Sequence, residues 1–349
     1  MFGKKGNLIG LILSAVCLYL VFRKVDLHAL WASMSALRYG YLVGAIAVFL
    51  TTFAVRTVRW QALLHPAKAI PFRRLSSVLF IGYMANNILP ARLGEFVRAY
   101  VLGRKEGVRK STTLATIFIE RIFDGLSLLF ILGLLILAHK VGLISNRLPP
   151  QLITGGLLAS LIFLGAFGFV AALEFVPGME ALLGNLIRRF APAKAAPKLE
   201  SVLSAFVGGV ACLRSLKRLI FVFATSLVVW GIEGSTYSLM GRAFHMHQPL
   251  TAFFVTMVLV NLAAIVPSAP GQVGTFQFFC VLGLGMFGVS QVAALSYGLV
   301  LNMAEYLPVT LLGIGFLLAE NLTFQAVLHP DEEPAEPAEL PSAASSLVP

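Results

Sequence analysis

Six runs of apolar residues, at Asn7 to Phe22, Tyr39 to Val55, Ser111 to Ala138, Leu152 to Leu173, Leu219 to Met240 and Gln291 to Leu318, restrict the fold before any motif is read. A hydrocarbon layer of about 30 Å takes roughly 20 apolar residues of helix to cross; the first two runs fall slightly short of that length. In lipid the backbone amides find no water, so such runs fold as helices. With 58% hydrophobic and 12% charged residues in 349, the expectation is an all-α integral membrane protein that crosses the bilayer several times.

Two stretches break this pattern. Asn86 to Arg98 (Asn-Asn-Ile-Leu-Pro-Ala-Arg-Leu-Gly-Glu-Phe-Val-Arg) places two amides, a proline, a glycine and three charges inside an otherwise apolar segment. Ile265 to Phe276 repeats the design: Ile265-Val266-Pro267 aligns with Ile88-Leu89-Pro90, and Gln272-Val273-Gly274-Thr275-Phe276 with Arg92-Leu93-Gly94-Glu95-Phe96, with three extra residues in the later copy. Pro90 divides Leu75 to Leu102 into arms too short to cross, which predicts a re-entrant hairpin. Its partner, Leu250 to Val289, is re-entrant or nearly spanning. Matched broken helices, one per half, point to a transporter-type binding site.

The formal net charge of +11 comes from residues lying between apolar runs, so it reads as a topology signal and not as a nucleic-acid surface. With both termini inside, 18 Lys and Arg fall on the cytoplasmic side, Arg56 and Arg59 among them, and 6 on the other. Arg92, Arg98 and Arg121 are assigned to membrane depth. Each half then holds three spanning helices and one hairpin, and the odd number of crossings inverts the second repeat relative to the first. The repeats are expected at about 1–140 and 150–325 of a membrane domain covering 1–329. An amphipathic cytoplasmic linker occupies about 179–217, although Leu199 to Met240 could equally be one long helix, and 330–349 form a disordered acidic tail. The first helix reads as a retained anchor; Cys17, Cys212 and Cys280 are too dispersed for a disulfide framework or a metal site.

Eight ionisable groups fall in membrane segments: Arg92, Glu95, Arg98, Glu120, Arg121, Asp124, Glu233 and Glu305. At about 3 kcal/mol each on insertion scales, leaving them unpaired would cost more than a fold's margin. Arg92, Glu95 and Arg98 are spaced to let the carboxylate sit between two guanidinium groups, and Arg121 is flanked by Glu120 and Asp124 on one face. Arginine forks and the free N–H groups past Pro90 suit a phosphate-bearing head; the alternative is a set of internal ion pairs locking the broken helices. Glu233 and Glu305, with Asn302 one turn before Glu305, have no cation near in sequence. Either first-half arginines pair with them across the repeat interface, or one is protonated and couples proton movement. Gly271 and Gly274 read as a sharp turn, and His245 and His247 as ordinary loop histidines.

The motifs Asn86 to Glu95, Glu120 to Gly125 (Glu-Arg-Ile-Phe-Asp-Gly) and Pro267 to Phe276 (Pro-Ser-Ala-Pro-Gly-Gln-Val-Gly-Thr-Phe) resemble, in order, the flippase-like family named for the transmembrane region of lysylphosphatidylglycerol synthase, the membrane half of the multiple peptide resistance factor. The resemblance covers nearly all of Asn7 to Leu322. It implies a multi-pass lipid translocase-like module with Arg92, Glu95, Glu120, Arg121, Asp124 and Pro267 to Thr275 at family motif positions. Only a short acidic stretch follows Leu328, so lysyl transfer is not expected.

The expected function is movement or binding of an amphipathic, anionic lipid in a cell inner membrane. A membrane-embedded transferase using Glu120 or Asp124 as base, and a non-transporting scaffold, are the alternatives. The candidate substrate-binding residues are Asn86, Asn87, Pro90, Arg92, Gly94, Glu95, Arg98, Glu120, Arg121, Asp124, Glu233, Pro267, Gly271, Gln272, Gly274, Thr275, Asn302 and Glu305. The partner is expected to be an anionic phospholipid, a polyprenyl phosphate or a hopanoid, with lipid-synthesis enzymes and self-association as further candidates. No nucleic acid, metal or cofactor is expected.

Overall fold

The computed structural model describes residues 4–23, 25–89, 93–142, 150–190, 192, 195–210, 214–264, 268–320 and 322. Among these the regular structure is helical: α1 (Lys4–Phe22), α2 (Leu27–Ser35), α3 (Tyr39–Leu64), α4 (Phe72–Ile88), α5 (Gly94–Glu106), α6 (Lys110–Lys140), α7 (Pro150–Phe175), α8 (Met179–Phe190), α9 (Ala196–Val210), α10 (Leu216–Ala243), α11 (Leu250–Ala263), α12 (Thr275–Gly285) and α13 (Gln291–Ala319), with a single 3-10 turn at Pro270–Gln272 before α12. Among the described residues five helices, α3, α6, α7, α10 and α13, are long and apolar enough to cross a membrane. Their outer faces carry apolar side chains: Leu157, Leu161 and Ile162 of α7 are each more than 60% exposed. Leucines in contiguous display are a cost in water and none in lipid, so the chain is an all-α, multi-pass membrane protein.

The four arms α4, α5, α11 and α12 hold 17, 13, 14 and 11 residues, all short of a crossing. The first pair breaks where the sequence requires it. Leu89 adopts an extended backbone (φ −89°, ψ 144°), the conformation forced on a residue that precedes proline. The arms then close tightly: a Cβ at Gly94 would lie 2.0 Å from the Gly82 carbonyl oxygen, so only glycine permits this approach. In the second break Gly271, Gln272 and Gly274 all have positive φ (65°, 57° and 94°). The Gly274 N–H donates to Gln277 Oε1 at 2.7 Å, capping α12.

Two large apolar cores result, one around the first hairpin (Phe53, Trp60, Leu79, Met84, Val101, Ile119) and one around the second (Tyr237, Met257, Val258, Cys280, Tyr297, Leu301), and a smaller third cluster joins Val21, Leu30 and Leu295. Helices α6 and α13 feed both. Ala115, Ile119, Ile122 and Phe123 of α6 join the first core and Leu128 and Leu132 the second; Val309 and Leu317 of α13 join the first, and Ala294, Tyr297, Leu301 and Ala304 the second. Asp124 and Glu305 therefore sit at the boundary between the cores, where neither supplies a continuous apolar lining.

Two expectations are corrected. The second span does not stop at Val55 but continues to Leu64, so Arg56 and Arg59 are buried inside α3 instead of lying in a cytoplasmic loop. Their basic charge is neutralised within the bundle, which removes the reason to place them at water. The segment from Leu199 onward is not one long helix: α9 and α10 are separate, and Ser215 caps α10 by accepting from the Arg218 N–H. Gly209 of α9 packs against Thr112 and Ala115 of α6. Nothing in the sequence reading anticipated α2, which starts at the N-cap Asp26. The expected tail at 330–349 lies outside the described residues.

Candidate functional site

Four arginines and four acids meet where α3, α4, α5, α6 and α10 converge. Arg59 is completely buried and donates to Glu120 Oε1 at 2.7 Å, to Asp124 Oδ1 at 2.5 Å and to Ser226 at 2.7 Å. Arg98 reaches Glu120 Oε2 at 3.1 Å, and its guanidinium lies 4.1 Å from the centre of the Trp60 ring. Arg121 lies 3.2 Å from Glu120, 3.5 Å from Asp124 and 3.6 Å from Glu95. On the α10 side Arg56 donates to Glu233 at 2.7 Å and to the Tyr83 hydroxyl at 3.0 Å, and Asn261 donates to the other Glu233 oxygen at 3.3 Å. Arg121 also donates to Tyr83, which joins the two halves of the cluster.

Among the described residues the charges balance: Arg56, Arg59, Arg98 and Arg121 face Glu95, Glu120, Asp124 and Glu233. Pairing of this kind is what makes ionised groups tolerable at membrane depth. Burial is uneven, however. The side chains of Arg121 and Glu95 are 30% and 26% exposed, while those of Arg56, Arg59, Arg98, Glu120, Asp124 and Glu233 are 0–6% exposed. The network thus has one accessible edge, and the pair on it is the longest of its ion pairs. The Nε groups of all four arginines are buried without a hydrogen-bond partner.

A second polar group gathers on α13, where both broken hairpins arrive. Asn87 at the end of α4 donates to the Tyr306 carbonyl at 3.3 Å and to Thr310 Oγ1 at 2.9 Å. From the other hairpin, the Gly271 carbonyl accepts from Asn302 Nδ2 at 3.2 Å, and a Cβ at Gly271 would lie 2.8 Å from the Tyr306 ring. Gln272 and Thr275 are bonded within the turn, Thr275 Oγ1 donating to the Gln272 carbonyl at 3.1 Å. Among the described residues three buried oxygens here and at the first hairpin have no partner: Asn86 Oδ1, Asn302 Oδ1 and Glu305 Oε1.

Of the candidate residues, Pro90, Arg92 and Pro267 lie outside the described residues. The structure brings Glu95, Arg98, Glu120, Arg121, Asp124 and Glu233 into one network and Asn87, Gly271, Asn302 and Glu305 to α13, while Gly94 and Gly274 serve close backbone approach. One arrangement differs from expectation: Glu95 does not bridge to Arg98, because Arg98 is drawn to Glu120 and Trp60. Arg56, Arg59, Tyr83 and Asn261 were not anticipated. The signal for the arginines was their spacing of three, which puts both on one face of a helix whose apolar residues continue through Trp60, Leu63 and Leu64. Among the described residues no group of three His, Cys, Asp or Glu side chains is placed to hold a metal ion.

Comparison with known proteins finds relatives that align with 68–94% of this chain. A glycosyltransferase, AglD, of Haloferax volcanii is 25% identical over 94% of this chain and 56% of its own length. A UPF0104 membrane protein of Methanothermobacter thermautotrophicus is 22% identical over 78% of this chain and 83% of its own. Another, of Methanocaldococcus jannaschii, is 22% identical over 68% of this chain and 94% of its own. The chain spans only a little over half of AglD, and most of the length of the UPF0104 proteins. With a family model matching residues 7–313, this membrane protein belongs to the family described as the lysylphosphatidylglycerol synthase TM region.

Proposed function

We propose that the chain is a lipid translocase-like protein that receives the polar head of an amphipathic, anionic lipid at the accessible edge of the arginine network. The observation that carries this reading is the Arg121–Glu95 pair. At 3.6 Å it is too long for a strong charge-assisted hydrogen bond, so a phosphate offering a planar guanidinium two oxygens at 2.7–2.9 Å would displace Glu95 from it. The buried pairs behind it fix the guanidinium in place. Acyl or prenyl chains stay in the bilayer, against the apolar outer faces.

The proposed architecture is two inverted repeats, about 1–140 and 150–325, within a membrane domain of 1–329 that includes the 179–217 linker. Its support is the packing pattern. Exchanging α3, α4, α5 and α6 for α10, α11, α12 and α13 turns the contacts α3–α4, α4–α5, α5–α6, α4–α13 and α3–α13 into α10–α11, α11–α12, α12–α13, α11–α6 and α10–α6, all of which occur. A twofold relation would also pack α3 on α10, the most extensive pairing in the bundle. The hairpins then enter from opposite sides, and both termini are cytoplasmic; moving Arg56 and Arg59 into the membrane leaves 16 basic residues against 6. The membrane is the cell inner membrane, and the lipid an anionic phospholipid, a polyprenyl phosphate or a hopanoid.

A transferase reading is favoured by one observation, that the relative AglD is a glycosyltransferase, of whose length this chain covers 56%. Against it, Glu120 and Asp124 are each held by two or more guanidinium groups, so their oxygens are already committed to cations of the protein itself. The test is reconstitution in liposomes with aminoacylated, polyprenyl-phosphate and hopanoid lipids. Movement of one of these, lowered by Arg121→Gln, supports translocation. A folded protein that moves none of them ends the proposal, and a covalently altered lipid would support the transferase.

A further inference from the structure

Glu305 is the exception among the acids at membrane depth. Glu95, Glu120, Asp124 and Glu233 each have a guanidinium within 3.6 Å, whereas Glu305 has no hydrogen bond or ion pair among the described residues, and its Oε1 is buried. One turn earlier, Asn302 is 5% exposed, and while its Nδ2 is committed to the Gly271 carbonyl, its Oδ1 is also without a partner. Two buried, unpartnered oxygens on one face of α13, against the tip of a broken hairpin, call for a cation or a proton.

The surroundings decide between ionised and neutral. On α10 the titratable groups in electrostatic reach of Glu305 are Glu233 and Tyr237; α3 offers Arg56, α12 offers Cys280, and α13 itself Tyr297. Helix α4 carries its ionised side chains, Arg73 and Arg74, in its first turn, with Arg74 in reach of Glu320 at the far end of α13. The titratable side chain of α2, His28, is exposed. Among the described residues Arg56 is thus the one cation in reach, and it is already bound to Glu233 and Tyr83. Two ionised carboxylates would share a single guanidinium in a medium that does not solvate the surplus charge.

We propose that Asn302 and Glu305 form a proton-binding site, with Glu305 protonated in this conformation and exchanging that proton with water when the second hairpin changes its contact with α13. The reaction is a proton transfer between a carboxyl and water, with no other bond made or broken. As a coupling device it rests on the translocase reading; as a protonated carboxyl it does not. As a residue Glu305 is half-buried, Oε1 being its covered oxygen.

The experiment uses the full-length protein in liposomes at neutral pH. Infrared spectroscopy should show a protonated carboxyl C=O band that Glu305→Gln removes, and dicyclohexylcarbodiimide, an apolar reagent for protonated carboxyls, should modify Glu305 and spare Glu120 and Asp124. In the same liposomes an imposed pH gradient should change the rate of lipid movement several-fold in the wild type and leave E305Q unresponsive. A band that persists in E305Q, an unmodified Glu305, or a band lost on adding sodium at constant pH overturns the site. An unaltered gradient response in E305Q overturns the coupling. A wild type that shows the band and moves no lipid refutes the translocase reading and leaves the proton site standing.

Discussion

Arg59 and Glu120 meet at 2.7 Å with both side chains fully buried, so the C-terminal half of α3 is tied to the centre of the bundle by charge as well as by packing. Breaking a buried pair leaves an uncompensated charge, which is costlier than never having placed the pair. Arg59→Met is therefore expected to destabilise the protein by about 3–5 kcal/mol, and adding Asp124→Asn to recover part of that loss. Thermal unfolding in detergent, with the monodisperse yield, measures both.

The first hairpin closes on a glycine contact. A Cβ at position 94 would stand 2.0 Å from the Gly82 carbonyl oxygen and 2.6 Å from Asn86 Oδ1. Gly94→Ala should cost at least about 1–3 kcal/mol as the arms are forced apart. Gly44→Ala on α3, where a Cβ meets nothing within 4 Å, should leave stability unchanged or raise it slightly.

Accessibility separates the edge of the network from its interior. Arg121→Cys and Glu95→Cys should react with a membrane-permeant thiol reagent. Ser226→Cys, a near-isosteric change at a residue with no exposed surface, should stay unmodified in the folded protein. Equal labelling at all three positions would remove the distinction on which the proposed headgroup position depends.

Arg121→Lys keeps the charge and loses the planar fork. Because this side chain is 30% exposed, the thermal stability should shift by no more than about 1 kcal/mol. Lipid movement is expected to fall about tenfold, the factor corresponding to one lost charge-assisted hydrogen bond of about 1.4 kcal/mol. An unchanged rate would mean that a point charge suffices.

At the far end of α5, Glu106 is buried beside Arg74 (2.9 Å) and Lys68 (3.0 Å). Burial pushes its carboxyl up, but the hydrogen bonds and charges of Arg74 and Lys68 outweigh this and hold it below the usual carboxylate range. A depressed acid stabilises the fold above its unfolded value of about 4.3, and that contribution is lost as pH falls through the folded value. Thermal stability should drop on acidification below about pH 4, and Glu106→Gln should flatten that part of the profile.

The membrane helices and both breaks were legible because they follow from local chemistry. Apolar length makes a span, and Pro90 with Gly94, or Gly271 with Gly274, breaks a helix wherever the chain goes next. Glu120, Arg121 and Asp124 were legible as a cluster because three charges on one face of an apolar helix cannot stand unpaired. Arg56 and Arg59 were misread for the opposite reason: near the end of an apolar run, a basic residue in a loop and one inside a longer helix look alike until the partner is known.

Those partners are remote. Arg56 finds Glu233 across 177 positions, and Arg59 finds Asp124 and Ser226 across 65 and 167. Sequence by itself determined that this chain is helical, enters the bilayer and carries charge there, since each depends on residues within a few turns of one another. Which charge answers which, which pair faces outward, and which acid is left alone were decided only by tertiary structure. Charge at membrane depth must be matched over a few ångströms of space, and nothing in the spacing along the chain records those distances.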